Sequence, residues 1–338
     1  MSGSLNVPTQ MRPARILGIG GYRPTRVVTN AEIIENIDSS DEWIRTRSGI
    51  ESRRWASEEE TVVAMSLAAA GKALAHAGIQ AEQVDCVIVS TVTHLYQTPS
   101  AAVEIAHKLG TKHAAAFDVS AACAGFCYGL SLASDMVRAG TARHVMVIGV
   151  ERLSDLTDKH DRSTAFIFAD GAGAAVVGAG DDDAEQGIGP VVWGSDGEHL
   201  DHIRQKEEWR EALFNDDGPR MPHLTMLGNP VFRWASYEMA KAAQQALDAA
   251  GITADQLDLF VPHQANMRIT DVMAKQLKLP DTVEIARDIA TQGNTSAASI
   301  PLALERMLEN GQAKSGDLAL IIGFGAGLVY AAQVVRIP

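Results

Sequence analysis

The chain repeats part of itself, and this internal repeat limits its fold more than any other feature of the 338-residue sequence. The segment ALAHAGIQAEQVD (73–85) matches ALDAAGITADQLD (246–258) at eight of thirteen positions, at an offset of 173. A second pair, VMVIG (145–149) and ALIIG (319–323), aligns at an offset of 174. Because strands alternate with helices in both copies, we predict a duplicated α/β protein whose parallel sheets are covered on both faces.

An acidic, turn-rich segment, DDDAEQG, separates the two copies. It follows the apolar, glycine-rich stretch that ends the first copy, and turn-rich segments of this kind connect structural units. We therefore predict an N-terminal half of residues 1–183 and a C-terminal half of residues 184–338.

Composition excludes several classes of protein. The formal net charge of −13, from 29 basic and 42 acidic residues, argues against a nucleic-acid-binding surface. Residues 1–15 are polar, which does not fit a signal peptide, and no apolar run of about 20 residues predicts a membrane span. Three cysteines are too few for a disulfide framework and fit a reducing cytoplasm, so we expect a cytoplasmic protein.

We expect neither a metal nor a cofactor. Cys123 and Cys127 are four residues apart, but no further cysteine or histidine cluster completes a four-ligand zinc site. The clusters GIGG (18–21), GAGAA (171–175) and GFGAG (323–327) do not complete the dinucleotide-binding pattern GxGxxG. We interpret them as tight turns and close backbone approaches.

The stretch AAAFDVSAACAGFCYGL (114–130) places one thiol, that of Cys123, between an apolar strand and a helix. A helix N-terminus has unpaired N–H groups and a partial positive charge, so it favours a thiolate and can bind an oxyanion. The alternative is that Cys123 is a small buried hydrophobic residue.

Two polar residues of the second copy are expected near this thiol. CAGFCYGLSLASDMVRAG (123–140) aligns with NTSAASIPLALERMLENG (294–311) at an offset of 171, which makes Asn294 the counterpart of Cys123. His263 follows a predicted strand, at the carboxyl end where α/β folds place catalytic residues. Alternatively, His263 is a core or surface residue and Asn294 caps a helix.

Four stretches, DVSAACAGFCYGL, VPHQANMRI, GNTSAASIPLAL and IIGFGAGLVYAAQVV, closely resemble the signatures of beta-ketoacyl-acyl-carrier-protein synthase III in the thiolase-like superfamily. The resemblance runs from about Ile16 to the C-terminus, and the sequences of the motifs are most similar to those of actinobacterial members. It implies two pseudo-equivalent halves layered α-β-α-β-α. It also implies a condensing enzyme that joins an acyl-CoA primer to malonyl-acyl carrier protein with loss of CO2.

The resemblance implies a role for each matching residue. Cys123 is the acyl-accepting nucleophile, and His263 and Asn294 act on the malonyl thioester. Backbone N–H groups of Cys123 and Ala326 form the oxyanion hole. Trp43, Arg47 and Arg162 match coenzyme A-binding positions; Arg233, Arg268 and Lys275 match a docking surface for the acidic acyl carrier protein; and Thr98 and Phe324 match the acyl pocket.

The loop HLYQTPSAA resembles one that crosses a homodimer interface in this family and closes the partner's acyl tunnel. Thr98 falls where some relatives carry a bulky aromatic residue, so the resemblance implies an open tunnel and branched or longer primers.

Departures from related families narrow the class. No late cysteine follows Cys127, as a thiolase would require, and Asn294 stands where elongating synthases have a second histidine. Ala326 replaces one of three glycines that are common in the family's last turn. The alternatives are a thiolase-fold acyltransferase or starter-unit synthase of a natural-product pathway, and a non-catalytic binding protein with the same fold.

Overall fold

A computed structural model describes residues 11–180 and 185–338, so the predicted boundary at residue 183 lies outside the described residues. The elements of the first half are β1 (Ala14–Tyr22), β2 (Arg26–Thr29), α1 (Asn30–Ile34), α2 (Asp41–Ser48), β3 (Ser52–Trp55), α3 (Val62–Ala77), β4 (Cys86–Ser90), α4 (Ala101–Leu109), β5 (Ala115–Val119), α5 (Gly125–Arg138), β6 (His144–Arg152) and β7 (Asp170–Ala179). Those of the second half are β8 (Val192–Ser195), β9 (Ile203–Gln205), α6 (Trp209–Leu213), β10 (Leu224–Met226), α7 (Gly228–Ala250), β11 (Leu259–Pro262), α8 (Met267–Gln276), β12 (Glu284–Ile285), α9 (Ile289–Gln292), α10 (Ser299–Glu309), β13 (Leu318–Gly325) and β14 (Val329–Arg336).

Each half is built on a five-stranded sheet, and the two sheets have the same topology. The first has the strand order β1-β7-β6-β4-β5, and the second has the order β8-β14-β13-β11-β12. Strand directions agree as well, since β4, β5 and β6 are parallel, as are β11, β12 and β13. The predicted duplication of an α/β unit is confirmed.

The expected parallel strands form the centre of each sheet, but both sheets also contain antiparallel strands and are therefore mixed. In the first, β7 runs antiparallel to both of its neighbours, and β14 does the same in the second. Parallel neighbours need a crossover helix, which α4 and α5 supply between β4, β5 and β6. No such helix separates β6 from β7 or β13 from β14, so these strands return antiparallel.

The elements form five layers, with α5 and α10 packed between the two sheets. The central core contains apolar side chains of both helices, among them Phe126, Leu130, Ile300 and Leu304. Helices α3 and α4 cover the outer face of the first sheet, and α7 and α8 that of the second. Within the described residues, no helix is both long and apolar enough to cross a membrane.

Two of the glycine clusters lie inside strands, so their interpretation as tight turns is wrong. GIGG is part of β1 and GAGAA is part of β7. The expected close approaches do occur, since a Cβ atom on Gly173 would lie 2.6 Å from Pro301 Cγ.

The structure corrects the alignment of the two helix starts. A single 3-10 turn, Ala122–Ala124, precedes α5, and an equivalent turn, Ser296–Ala298, precedes α10. The first residues of both turns have positive φ, 43° at Ala122 and 49° at Ser296. These geometries correspond at an offset of 174, so the counterpart of Cys123 is Ala297, and Asn294 lies three residues before it.

Candidate active site

Cys123 lies at the predicted strand-to-helix junction. Strand β5 ends at Val119, the turn Ala122–Ala124 follows, and α5 begins at Gly125. Ala122 has a left-handed backbone, which is uncommon for a residue with a side chain and occurs often where a functional group is presented. No side chain caps the N-terminus of α5. The nucleophile candidate is therefore held by a tight turn beside uncapped N–H groups.

The thiol of Cys123 is neutral at rest, contrary to the expectation of a thiolate. Burial raises its pKa to about 12, although the Ser296 hydroxyl and the backbone N–H of Cys123 favour the charged form. Removing a thiolate from water costs more than these two hydrogen bonds return. A proton must therefore leave the sulfur when it attacks a substrate.

His263 is also neutral, and its environment indicates which nitrogen carries the proton. Its side chain is buried, and burial lowers its pKa to about 3. Nδ1 lies 2.7 Å from Ser299 Oγ, which also accepts a hydrogen bond from the Gln264 N–H at 3.3 Å. Because the described residues offer the Ser299 proton no other acceptor, we assign it to Nδ1, and this leaves Nε2 as a donor.

Asn294 has one amide atom fixed and the other available. Its N–H donates to the Ile167 carbonyl at 3.0 Å, and its carbonyl accepts from the Ala169 N–H at 2.8 Å. Side-chain Oδ1 accepts a hydrogen bond from the Ser296 N–H at 2.9 Å. The side chain therefore holds the first residue of the 3-10 turn without being its N-cap, which is Thr295, and this bond leaves the Nδ2 group as a donor.

The GFGAG segment brings β13 against Cys123. A Cβ atom on Gly325 would lie 2.8 Å from Cys123 Sγ and 3.2 Å from its backbone nitrogen, so only glycine fits. Phe324, one residue earlier, packs edge-on against the His263 ring at a centroid distance of 5.4 Å. Ala326 follows directly in the same turn. The three predicted side chains thus converge, because Phe324 and Gly325 link His263 to Cys123 and Ser296 links Cys123 to Asn294.

A buried carboxyl group, Glu151, belongs to the same network and was not predicted. Oε2 accepts hydrogen bonds from the Val92 N–H at 3.1 Å and from Thr93 Oγ1 at 2.8 Å. Oε1 accepts from Ser296 Oγ at 3.3 Å. Burial raises the pKa of Glu151 to about 7. The signal in the sequence was a glutamate one residue before the end of the apolar strand HVMVIGVER.

The predicted coenzyme A residues lie on and beside α2. The guanidinium of Arg162 stacks on the Trp43 ring at 4.7 Å, and Phe166 meets the same ring edge-on. An aromatic ring that stacks between Trp43 and Arg162 needs these two groups to be separated by about twice the ~3.5–4 Å contact distance. Arg162 must therefore move before a ring such as adenine can enter. Arg47 is exposed in the last turn of α2, and its carbonyl accepts a hydrogen bond from Asn266 at 3.0 Å.

The remaining predicted residues are exposed, as contacts with a partner require: Thr98, Arg233, Arg268 and Lys275. Arg268 and Lys275 lie on α8, and the Arg268 guanidinium stacks at 4.8 Å on Phe232 of α7, the helix that also carries Arg233. In residues 11–180 and 185–338 no group of three His, Cys, Asp or Glu side chains is placed to hold a metal ion.

A duplicated α/β fold with a thiol at a strand-to-helix junction, beside a neutral histidine and an amide, defines a thiolase-like condensing enzyme. Residues 117–197 match the family model of 3-oxoacyl-[acyl-carrier-protein] synthase III, and residues 247–337 match its C-terminal model.

Comparison with individual proteins indicates the same family as the two family models. The chain is 64% identical over 326 residues to beta-ketoacyl-[acyl-carrier-protein] synthase III of Streptomyces glaucescens, covering 96% of both chains. It is 62% identical over 334 residues to synthase III 1 of Streptomyces coelicolor, again covering 96% of both. The crystal structure of the priming beta-ketosynthase from the R1128 polyketide biosynthetic pathway superimposes with a TM-score of 0.96, at 48% identity and 99% coverage of both chains.

The chain therefore belongs to the beta-ketoacyl-acyl-carrier-protein synthase III family. It is an acyltransferase that carries out the initiating condensation of fatty acid or polyketide synthesis.

We expect Gly325→Ala to reduce transfer of an acyl group to the protein by about 100-fold or more, because the new methyl group would overlap the Cys123 sulfur. The measurement is covalent labelling by radioactive acyl-CoA. Gly197→Ala, where a Cβ atom meets no neighbour, is the matched control and should be labelled like the wild type. Normal labelling of Gly325→Ala would contradict this account of the turn.

Proposed function

We propose that Cys123 is the nucleophile, which attacks the thioester carbonyl of an acyl-CoA and stores the acyl group on its sulfur. The backbone N–H groups of Cys123 and Ala326 stabilise the negative oxygen of the tetrahedral intermediate. The position of the GFGAG turn supports this assignment, since a Cβ atom on Gly325 would lie within 3.2 Å of the Cys123 nitrogen.

His263 and Asn294 act in the second step, in which malonyl-acyl carrier protein loses CO2. Decarboxylation builds negative charge on the malonyl thioester oxygen, and Nε2 of His263 and Nδ2 of Asn294 donate hydrogen bonds to it. Both donors are neutral, because burial prevents protonation of the imidazole and an amide does not titrate. The carbanion then attacks the acyl-Cys123 carbonyl and forms 3-oxoacyl-acyl carrier protein. The single observation that carries this proposal is the pairing of one free donor on each side chain.

Substitution separates the two steps. Cys123→Ser should abolish acylation because the sulfur is lost, whereas Asn294→Ala should leave acylation largely intact and slow condensation by about 100- to 1000-fold. Labelled acyl-CoA, supplied with and without malonyl-acyl carrier protein, measures both steps. Product formation by Asn294→Ala at the wild-type rate would exclude the donor role.

Carrier-protein docking is assigned to the basic surface formed by Arg233, Arg268 and Lys275. All three are exposed, and none joins an ion pair with another described residue. Arg233 and Trp234 line a surface groove; Trp234 packs on Phe324 at 6.4 Å, and Phe324 packs on His263. Packed rings thus connect the groove wall at Trp234 to the buried donor His263. An acidic carrier protein suits this surface, although the chain itself is acidic.

We expect Arg268→Glu to raise the KM for malonyl-acyl carrier protein at least tenfold and to leave acylation by acyl-CoA nearly unchanged. The reason is that only the carrier protein binds to this surface. Lys314→Glu makes the same change of charge at an exposed site elsewhere and serves as the control. Equal effects of Arg268→Glu on both substrates would rule out docking.

We propose a cytoplasmic homodimer, with strand β5 at the interface. This strand is the edge of the first sheet, and Phe117 on it is 37% exposed. Leu95, Tyr96 and Val103 are also exposed nearby in the chain. An uncovered edge strand with apolar neighbours is a surface that proteins usually pair or cover, and a second copy of this chain suits it. All three cysteines are free, which agrees with a reducing compartment.

Primers longer than acetyl-CoA are proposed because Thr98 is small and exposed on the loop before α4. In the dimer this loop closes the partner's acyl tunnel. We expect Thr98→Phe to lower kcat/KM for branched and six-carbon acyl-CoA at least tenfold relative to acetyl-CoA. The protein mass in solution should remain that of a dimer, and an unchanged chain-length profile would refute the role of Thr98.

A further inference from the structure

The neutral Cys123 thiol needs a proton acceptor when it attacks, and His263 does not offer one. Ser299 donates to Nδ1 of His263, so Nε2 already carries a proton. The imidazole also resists a positive charge, because burial lowers its pKa to about 3. A different group must accept the thiol proton.

Glu151 is the buried carboxyl group connected to this thiol. Its side chain is fully buried and faces Thr91, the Val92 N–H and Thr93 from the segment after β4, and Ser296 from the turn before α10. It makes no ion pair with another described residue; the adjacent Arg152 pairs with Asp155 at 3.0 Å. Ser296 donates to Oε1 of Glu151 and also hydrogen-bonds the Cys123 thiol.

We propose that Glu151 accepts the Cys123 proton through the hydroxyl group of Ser296. This inference rests on the proposed role of Cys123 as the nucleophile. The Ser296 hydroxyl passes its own proton to Glu151 Oε1 and takes the thiol proton in exchange. Glu151 acts through Ser296 and touches no substrate. We therefore class it as a positioning residue that stores the proton, and not as a catalytic residue.

The proton balance closes over the whole cycle. In acylation the sulfur–carbon bond to Cys123 forms, the bond to coenzyme A breaks, and the coenzyme A thiolate takes a proton from solvent. The proton received from Ser296 remains on Glu151 while the acyl group occupies the sulfur. Condensation expels Cys123 as a thiolate, and the stored proton returns through Ser296. The cycle thus consumes one solvent proton, as the release of CO2 and coenzyme A requires.

The electrostatics of the pair agree with this exchange. Ionised Glu151 raises the pKa of the Cys123 thiol, so the pocket tolerates one negative charge more easily than two. The pKa of Glu151 is raised to about 7, so a substantial fraction of the carboxyl group is ionised and ready to accept a proton at neutral pH. Only the ionised form accepts, and acylation should therefore become faster as pH rises through this value.

The test is the pre-steady-state rate of Cys123 labelling by radioactive acyl-CoA between about pH 6 and about pH 8. The wild-type rate should rise across this range. Glu151→Gln should slow labelling by about 100-fold and lose the rise. Ser296→Ala removes the hydroxyl group but keeps the N–H that holds Asn294, so it should slow labelling similarly while decarboxylation of malonyl-carrier continues. Ala122 adopts the same backbone conformation with an alanine, so this turn tolerates the change.

Asp170→Asn is the matched control. Asp170 is also a buried carboxyl group with a pKa raised by burial, to about 6, but it is held by Ser154 and the Ala56 N–H and not by Ser296. The Asp170→Asn variant should be labelled on Cys123 at the wild-type rate. Wild-type labelling by Glu151→Gln, or equal slowing by Asp170→Asn, would overturn the relay. If Glu151→Gln does not fold, the labelling rate of Ser296→Ala alone tests the relay. A wild-type protein that carries no label on Cys123 would instead refute the proposed nucleophile.

Discussion

Backbone packed directly on backbone holds this site in place. A Cβ atom on Gly149 of β6 would lie 2.6 Å from the Ala297 carbonyl carbon, and one on Gly323 of β13 would lie 2.8 Å from the Cys123 carbonyl oxygen. Each sheet thus contacts the 3-10 turn of the other half with no side chain between them. Because such contacts leave little room for movement, the site is mounted on a rigid layer, where a reacting geometry can be maintained.

Burial keeps the thiol and the imidazole of the resting site neutral and leaves Glu151 only partly ionised at neutral pH. It raises the pKa of Cys123 and of Glu151 and lowers that of His263, and each shift favours the neutral form. A site of buried neutral donors stabilises charge that develops during a reaction without holding a counter-ion beforehand. This arrangement suits a reaction in which an anionic malonyl group must enter and lose its carboxylate.

The duplication, the family and the convergence of Cys123, His263 and Asn294 were all readable from the sequence. The strand directions were not, because buried apolar runs look alike in parallel and antiparallel strands. The correct register of the helix starts was hidden because positive φ falls on Ala122 and Ser296, and neither is a glycine. Glu151 was missed because a glutamate at a strand end suggests solvent, and Ser296, 145 residues away in the chain, contributes to its burial.

The corrected register shows how the two copies have diverged. At an offset of 173 His263 corresponds to Ser90, and at 174 its partner Ser299 corresponds to Gly125, where a Cβ atom would collide with Ser90 Oγ. The first copy thus carries the thiol and has a hydroxyl group in the place of the imidazole, whereas the second carries the imidazole and has Ala297 in the place of the thiol. Neither copy, paired with itself, would hold a complete set of reactive groups, so the site exists only where the two different halves meet.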